Sequence, residues 1–150
     1  MTPSMERWQS GSTPADSLAL SSTEDEVLER IETLVEAIRH KNVDNLMAHY
    51  APDVVVFDLQ PPLEVRGVAA YRKNFEKWFA SMSGRIAYEM SDVHLSADDT
   101  VASCHCISHV AGARSGGGRA DYWVRVTSTW RKVHGEWLVT HEHISMPTMM

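Results

Sequence analysis

Apolar residues recur at intervals of three and four in three segments of the first half of the chain, a spacing typical of amphipathic helices. The first predicted helix begins at Ser22 or Thr23, either of which can cap it, and ends near Arg39. A short second helix is predicted over residues 44–50 and a third over residues 68–82. The first segment has the most regular apolar stripe, which consists of Val27, Leu28, Ile31, Leu34, Val35 and Ile38.

The other segments have the β-branched and aromatic content of strands and are separated by turn residues. Two short strands are predicted at 54–59 and 63–66, on either side of Pro61-Pro62. Four longer strands are predicted after Arg85, at residues 86–95, 100–111, 122–133 and 136–145. We expect these four to form an antiparallel meander, and helices on one face of such a sheet define the α+β class. A strongly curved sheet that closes over the helices would enclose a cavity.

Length and composition limit the classes of protein to be considered. A chain of 150 residues with 43% hydrophobic and 23% charged residues is typical of one globular domain. The net charge of −6 argues against a nucleic-acid-binding surface and against a polybasic membrane anchor, and no apolar run is long enough to span a bilayer. Residues 1–22, rich in Ser, Thr, Pro and Gly, are predicted to be a flexible tail, and residues 23–150 to be the domain.

The two cysteines, Cys104 and Cys106, are separated by one residue on a predicted strand. Both side chains would point to the same face, where a disulfide between them would be strained. We therefore expect free thiols and a reducing compartment. Since the N-terminal residues contain no apolar signal segment, the expected location is the cytoplasm.

The order of several short motifs resembles that of known families. Ala51-Pro52-Asp53, Phe57-Asp58 and Val65-Arg66-Gly67 precede the third helix in an order similar to SnoaL-like (polyketide cyclase) and ketosteroid-isomerase-like sequences of the nuclear-transport-factor-like superfamily. The C-terminal Trp130-Arg131, Gly135, Trp137 and the run His141-Glu142-His143-Ile144-Ser145 resemble the association domain of calmodulin-dependent kinases. The resemblance, which covers about residues 23–147, implies a cone-shaped, curved antiparallel sheet packed on three N-terminal helices, a cystatin-like α+β barrel.

Asp58 is the first candidate catalytic residue. It ends a very apolar strand, where partial burial would make its carboxylate a usable proton acceptor. The alternative is a structural role, since an aspartate at the start of the Pro61-Pro62 turn readily binds the backbone. The resemblance favours catalysis, because Asp58 falls where ketosteroid isomerases have their carboxylate base. The oxyanion-hole positions of those enzymes correspond to Leu34 and Ser128, so ketosteroid isomerase activity itself is not expected.

Glu142 is the second candidate. Strand alternation predicts that Leu138, Thr140, Glu142 and Ile144 share one face and that His141 and His143 lie on the other. The pattern alone does not decide which face lines a cavity; the resemblance favours the face of Glu142. Two carboxylates in one cavity can act as an acid–base pair. The alternative is a glutamate that is exposed or paired with an arginine.

Other residues are candidates for holding a ligand or for packing. The predicted substrate-binding residues are Asn74, Trp78, Cys106, Ser128, Trp130 and Thr140. Two histidine pairs, His105/His109 and His141/His143, could together hold zinc only if their strands were adjacent and in register. A packed or interfacial histidine cluster is the favoured interpretation, so no metal site is predicted.

Two functions remain open. The first is a cofactor-free isomerase, dehydratase or cyclase that acts on a small apolar carbonyl compound. In it, Asp58 removes a proton, and Glu142, or a water held by Thr140 and Ser128, returns one. The second is a non-catalytic homo-oligomeric association domain whose cavity holds a small acid or nothing. The predicted partners are thus a small molecule and a second copy of the chain, with no cofactor, nucleic acid or membrane.

Overall fold

The structure is a computed structural model that describes residues 14–149, with side chains described from residue 23 onward. In chain order its elements are α1 (Pro14–Arg39), α2 (Val43–Met47), β1 (Tyr50–Phe57), β2 (Val65–Arg66), α3 (Val68–Ala80), β3 (Met82–Ala97), β4 (Val101–Arg114), β5 (Arg119–Val133) and β6 (Glu136–Ser145). None of the helices within the described residues has the length and apolar character needed to cross a membrane.

The six strands form one curved sheet in the order β2-β1-β6-β5-β4-β3, with the three helices packed over it. Strands β3 to β6 form the predicted antiparallel meander, and β1 pairs with β6 in parallel, so that the first strand closes against the last. The α+β class and the cone-shaped sheet on three helices are therefore confirmed. The parallel pairing was not anticipated, because it joins segments far apart in the sequence.

The buried core follows the predicted helical stripe. Val27, Ile31, Leu34, Val35 and Ile38 of α1 are all buried, and α1 packs against β3. Helix α3 packs against β1 and contributes a stripe of aromatic side chains: Tyr71, Phe75 and Phe79. Burial of these side chains on the inner face of the sheet stabilises the fold, at roughly 1.5–3 kcal/mol for each large apolar group.

Several element boundaries differ from the predictions. Helix α1 begins at Pro14, upstream of the predicted start, and the first part of the predicted tail, residues 1–13, lies outside the described residues. Helix α2 is shorter than predicted and is capped by Asn42, whose side chain accepts the Asn45 backbone N–H; Asp44 falls within the helix. Strand β1 begins at Tyr50, because this buried residue already pairs with β6.

A β-bulge in β6 reverses the alternation predicted for the last strand. The pairing with β5 shifts between Thr129, which faces His141, and Trp130, which faces Val139, so Thr140 is an extra residue. A bulge of this kind switches the face on which later side chains lie. Glu142 consequently lies on the inner face, as predicted, whereas the prediction that Thr140 shares this face is wrong.

Candidate functional site

A cavity of about 610 Å³ lies between the inner face of the sheet and helices α1 and α3. Its walls are largely apolar and include Leu34, Ile38, Phe75, Val124, Val126 and Ile144. All four tyrosines of the chain, Tyr50, Tyr71, Tyr88 and Tyr122, line it, as do the two carboxyl groups of Asp58 and Glu142. The one basic side chain in the lining is Lys77, which is exposed, so the cavity has a negative or neutral interior.

Glu142 lies deep in this cavity and is only 6% exposed. The Tyr50 and Tyr71 hydroxyls both donate to its Oε1, at 3.1 and 2.5 Å, and Tyr50 is also 3.4 Å from Oε2. Burial raises the pKa of Glu142 to about 7. The two phenol hydrogen bonds act in the opposite direction, and the charge of Asp58 adds to the increase. The alternative of an exposed or arginine-paired glutamate is therefore wrong, and the carboxyl group can give up or take a proton near neutral pH.

The four tyrosines are the polar groups that sequence reasoning missed. Tyr71 belongs to the apolar stripe of α3, and this spacing is typical of a residue that only packs in the core. Burial raises the pKa of Tyr50, Tyr71 and Tyr88, which keeps their hydroxyls protonated. A buried tyrosine hydroxyl usually needs a hydrogen-bond partner, and that requirement is the one signal that could have linked these residues to a polar site.

Asp58 follows the last residue of β1 and is half-buried at the cavity wall. Its Oδ1 accepts the backbone N–H of Leu59 at 2.7 Å, and its Oδ2 accepts the Asn74 side-chain amide at 3.2 Å. The backbone contact predicted for a structural role and the cavity position predicted for a catalytic role thus occur together. Asn74 reaches Asp58 from α3, and Trp78, one turn further along that helix, also lines the cavity.

The other predicted substrate-binding residues lie outside the cavity lining. Trp130 is 2% exposed and its indole N–H donates to the Ser128 hydroxyl at 2.9 Å, so both polar groups satisfy each other within the core. Thr140, displaced by the bulge, lies 3.1 Å from the Thr129 hydroxyl on the opposite face. Trp130 and Thr140 instead border a second pocket, on the other side of the bulge from Glu142, and Ser128 lines neither pocket. A role of these residues in holding a ligand or a water stays a prediction.

Cys106 is also enclosed rather than available to a ligand. Its Sγ is 3.6 Å from the Ser108 hydroxyl, and burial raises its pKa. Burial likewise raises the pKa of Cys104 to about 12, so both groups are protonated thiols at neutral pH. They are free cysteines, as predicted, and pack on the strands beneath the cavity.

The histidines of the sheet lie on its outer face in separate contacts. His94 stacks on His105, and His109 stacks on Trp123 and lies 2.7 Å from an Asp121 carboxylate oxygen. His141 contacts the Val55 carbonyl through Nδ1 at 2.7 Å. Within residues 23–149, no three histidine, cysteine or acidic side chains come together as potential metal ligands.

Comparison with known proteins identifies what this arrangement is similar to. The family model described as SnoaL-like domain matches residues 27–149. A nuclear transport factor 2-like protein of unknown function from Pseudomonas putida KT2440 is 26% identical, with a TM-score of 0.77 over 93% of this chain and 92% of that one. A search of curated proteins found no match.

Two more distant structures share the fold. A protein of the same superfamily from Streptomyces avermitilis, provisionally named a dehydratase, is 16% identical, with a TM-score of 0.75 over 86% of this chain and 99% of that one. A protein from Xanthomonas campestris, provisionally named a calcium/calmodulin-dependent protein kinase II association domain, is 20% identical, with a TM-score of 0.73 over 93% and 95% of the two chains.

Proposed function

Because the chain belongs to the SnoaL-like domain family, we propose that it binds a small, uncharged, largely apolar carbonyl compound and acts on it by carboxylate acid–base catalysis. The reaction would be that of a cofactor-free isomerase, dehydratase or cyclase. The observation that carries this proposal is the pair of carboxyl groups, Asp58 and Glu142, in one apolar cavity but in different environments. Such a difference separates the roles of acid and base.

The two environments suggest which group does what. Asp58 is half-buried at the cavity wall, where two N–H donors hold its two carboxylate oxygens in place, so we assign it as the base that removes a proton next to the carbonyl. Glu142 is buried among phenols, and at neutral pH a large part of it is protonated, so it is the acid that returns a proton. With no basic group in the interior of the cavity, an anionic ligand would be repelled by Asp58 and by the ionised fraction of Glu142.

Proton removal can be tested without knowing the natural substrate. In deuterium oxide we expect the protein to accelerate deuterium incorporation next to the carbonyl of 1-tetralone, measured by NMR. Asp58→Asn keeps the side-chain size but removes the base, and should lower the exchange rate by about 10²-fold or more. Asp53→Asn, which changes an exposed aspartate in the strand that precedes Asp58, is the matched control and should exchange at the wild-type rate.

A thermal-shift series adds an independent measurement. Bicyclic ketones should raise the melting temperature, whereas benzoate and other small carboxylates should not. Stabilisation by carboxylates alone, or ketone exchange that is equal in the wild type and in Asp58→Asn, would contradict the proposed chemistry.

A second candidate function is that of a homo-oligomeric association domain. It is supported by the likeness to the Xanthomonas campestris structure and by the outer face of the sheet, where Trp123 is 54% exposed beside His109. Exposed large aromatic residues are typical of interfaces. We expect sedimentation at micromolar concentration to show a homodimer or a larger oligomer.

Substitution of Trp123 tests whether that face makes the contact. Trp123→Ser should shift the sedimentation coefficient towards the monomer, because it removes the largest exposed ring of the outer face. Leu63→Ser, at a 96% exposed position on the loop between β1 and β2, is the control and should leave the oligomer intact. A monomeric wild type would contradict the association function.

A further inference from the structure

The hydroxyl protons of the four cavity tyrosines are not equally available to a ligand. Tyr50 and Tyr71 donate theirs to Glu142. The buried Ser108 hydroxyl lowers the pKa of Tyr88, which is the effect of a donor to the phenol oxygen, so it does not take the Tyr88 proton. For the proton of Tyr122, no acceptor is found among the residues whose side chains the structure describes, although this tyrosine lines the cavity. Tyr88 and Tyr122 are therefore the phenols able to donate to a bound molecule, and of these two only Tyr122 is affected by the charge of Asp58.

Helix α3 connects Tyr122 with the proposed base. Asn74 and Trp78 are four residues apart, which places them on the same face of the helix. Asn74 holds Asp58 Oδ2 at 3.2 Å. Trp78 and Tyr122 line the same cavity, and the Trp78 N–H lowers the pKa of Tyr122. Asp58 and Tyr122 both line the cavity, beside side chains from adjacent turns of α3, namely Asn74 and Trp78.

The charge of Asp58 reaches Tyr122 as well. Burial is the main cause that raises the pKa of Tyr122; the charge of Arg114 and the Trp78 N–H act in the opposite direction, and the charge of Asp58 adds to the increase. Tyr71 is also affected by Asp58, but its proton is already used by Glu142. Only one of the four phenols is therefore both close to the base and free to donate.

Removal of a proton next to a carbonyl needs a donor at this place. When Asp58 takes the proton, the electron pair of the broken C–H bond forms a carbon–carbon double bond and the carbonyl π pair moves to oxygen. That oxygen is two bonds from the carbon that loses the proton, so its donor must lie near the base. A fixed donor there stabilises the charge as it develops.

We propose that Tyr122 is the catalytic residue that donates a hydrogen bond to the substrate carbonyl oxygen, and that Trp78 is a positioning residue that orients it. The proposal rests on the proposed function, since it assumes that Asp58 is the base. The phenol O–H bond stays intact in this step. In this proposal the Trp78 N–H donates to the Tyr122 oxygen, which leaves the phenol proton directed elsewhere and makes it a stronger donor.

The test uses 1-tetralone with a ¹³C-labelled carbonyl, whose infrared stretch moves to lower frequency when its oxygen accepts a hydrogen bond. We expect the bound ketone to show this shift in the wild type and to lose it in Tyr122→Phe, with deuterium exchange about 10²–10³-fold slower. Trp78→Phe keeps a ring in place but lacks the N–H, and should give an intermediate shift. This second variant keeps the proposal testable if Tyr122→Phe does not fold.

The possible failures can be told apart. If wild-type protein neither binds 1-tetralone nor exchanges its protons, the proposed function fails and the role of Tyr122 fails with it. If the wild type exchanges but Tyr122→Phe and Trp78→Phe keep the full infrared shift, the proposed function stands and the role of Tyr122 is overturned. A shift that is lost in Tyr88→Phe and kept in Tyr122→Phe would likewise overturn the proposal.

Discussion

Replacement of Glu142 by glutamine should remove about 3 kcal/mol of pH dependence from the free energy of unfolding. Burial raises the pKa of Glu142 from 4.5 to about 7, so the folded state holds this proton more tightly than the unfolded state. The stabilisation is complete below pH 4.5 and is lost as the pH rises through about 7. At 1.36 kcal/mol per pKa unit, the difference of about 2.5 units gives the figure above. Glutamine does not titrate and has no such loss.

Urea unfolding at a series of pH values measures this effect directly. The wild type should become less stable between pH 4.5 and about pH 8 by a larger amount than Glu142→Gln. Burial lowers the pKa of His49, which gives a slope of opposite sign, but this contribution is common to both proteins and cancels in their difference. Glu29→Gln, at an exposed position of α1, is the control, because this glutamate is not among the charges that act on His49 or Glu142. An equal pH slope in wild type and Glu142→Gln would show that Glu142 is not a buried acid.

Local patterns were sufficient to predict most of the fold. The apolar stripe from Val27 to Ile38 and the turns of the meander are each encoded within a few residues. The parallel pairing of β1 with β6 and the bulge at Thr140 are not, because each depends on contacts between distant strands. The bulge matters most, since it moves Thr140 to the outer face while Glu142 stays inside. An unbroken alternation cannot place both residues correctly.

The site was predictable only in part, for a similar reason. The sequence singles out Asp58 because this residue ends an apolar run, and the resemblance points to Glu142. The tyrosines give no such contrast, since Tyr71 continues the apolar spacing of its helix, and Tyr50 falls in the predicted second helix although it begins β1. Their hydroxyls meet at Glu142 from α3 and β1, which only the assembled fold brings together.

The double variant Tyr50→Phe with Tyr71→Phe should increase the pH dependence that Glu142→Gln removes. Both hydroxyls donate to Glu142 Oε1 and lower its pKa, so without them the value rises above about 7. The stability lost between pH 4.5 and about pH 8 should therefore exceed the wild-type loss of about 3 kcal/mol, because the ionised carboxylate no longer accepts the two phenol hydrogen bonds. The rings remain to fill the core.

A change of pKa can be distinguished from a general loss of packing by repeating the two substitutions in Glu142→Gln. In that background the two phenylalanines should lower the free energy of unfolding by the same amount at every pH, because the carboxyl group that the phenols contact is gone. The exchange reaction gives a second measurement, since any step that needs protonated Glu142 should persist to higher pH in the double variant. If the two phenylalanines destabilise the protein equally at every pH in both backgrounds, the phenols only pack. If their effect varies with pH only when Glu142 is present, the three side chains form one titrating unit.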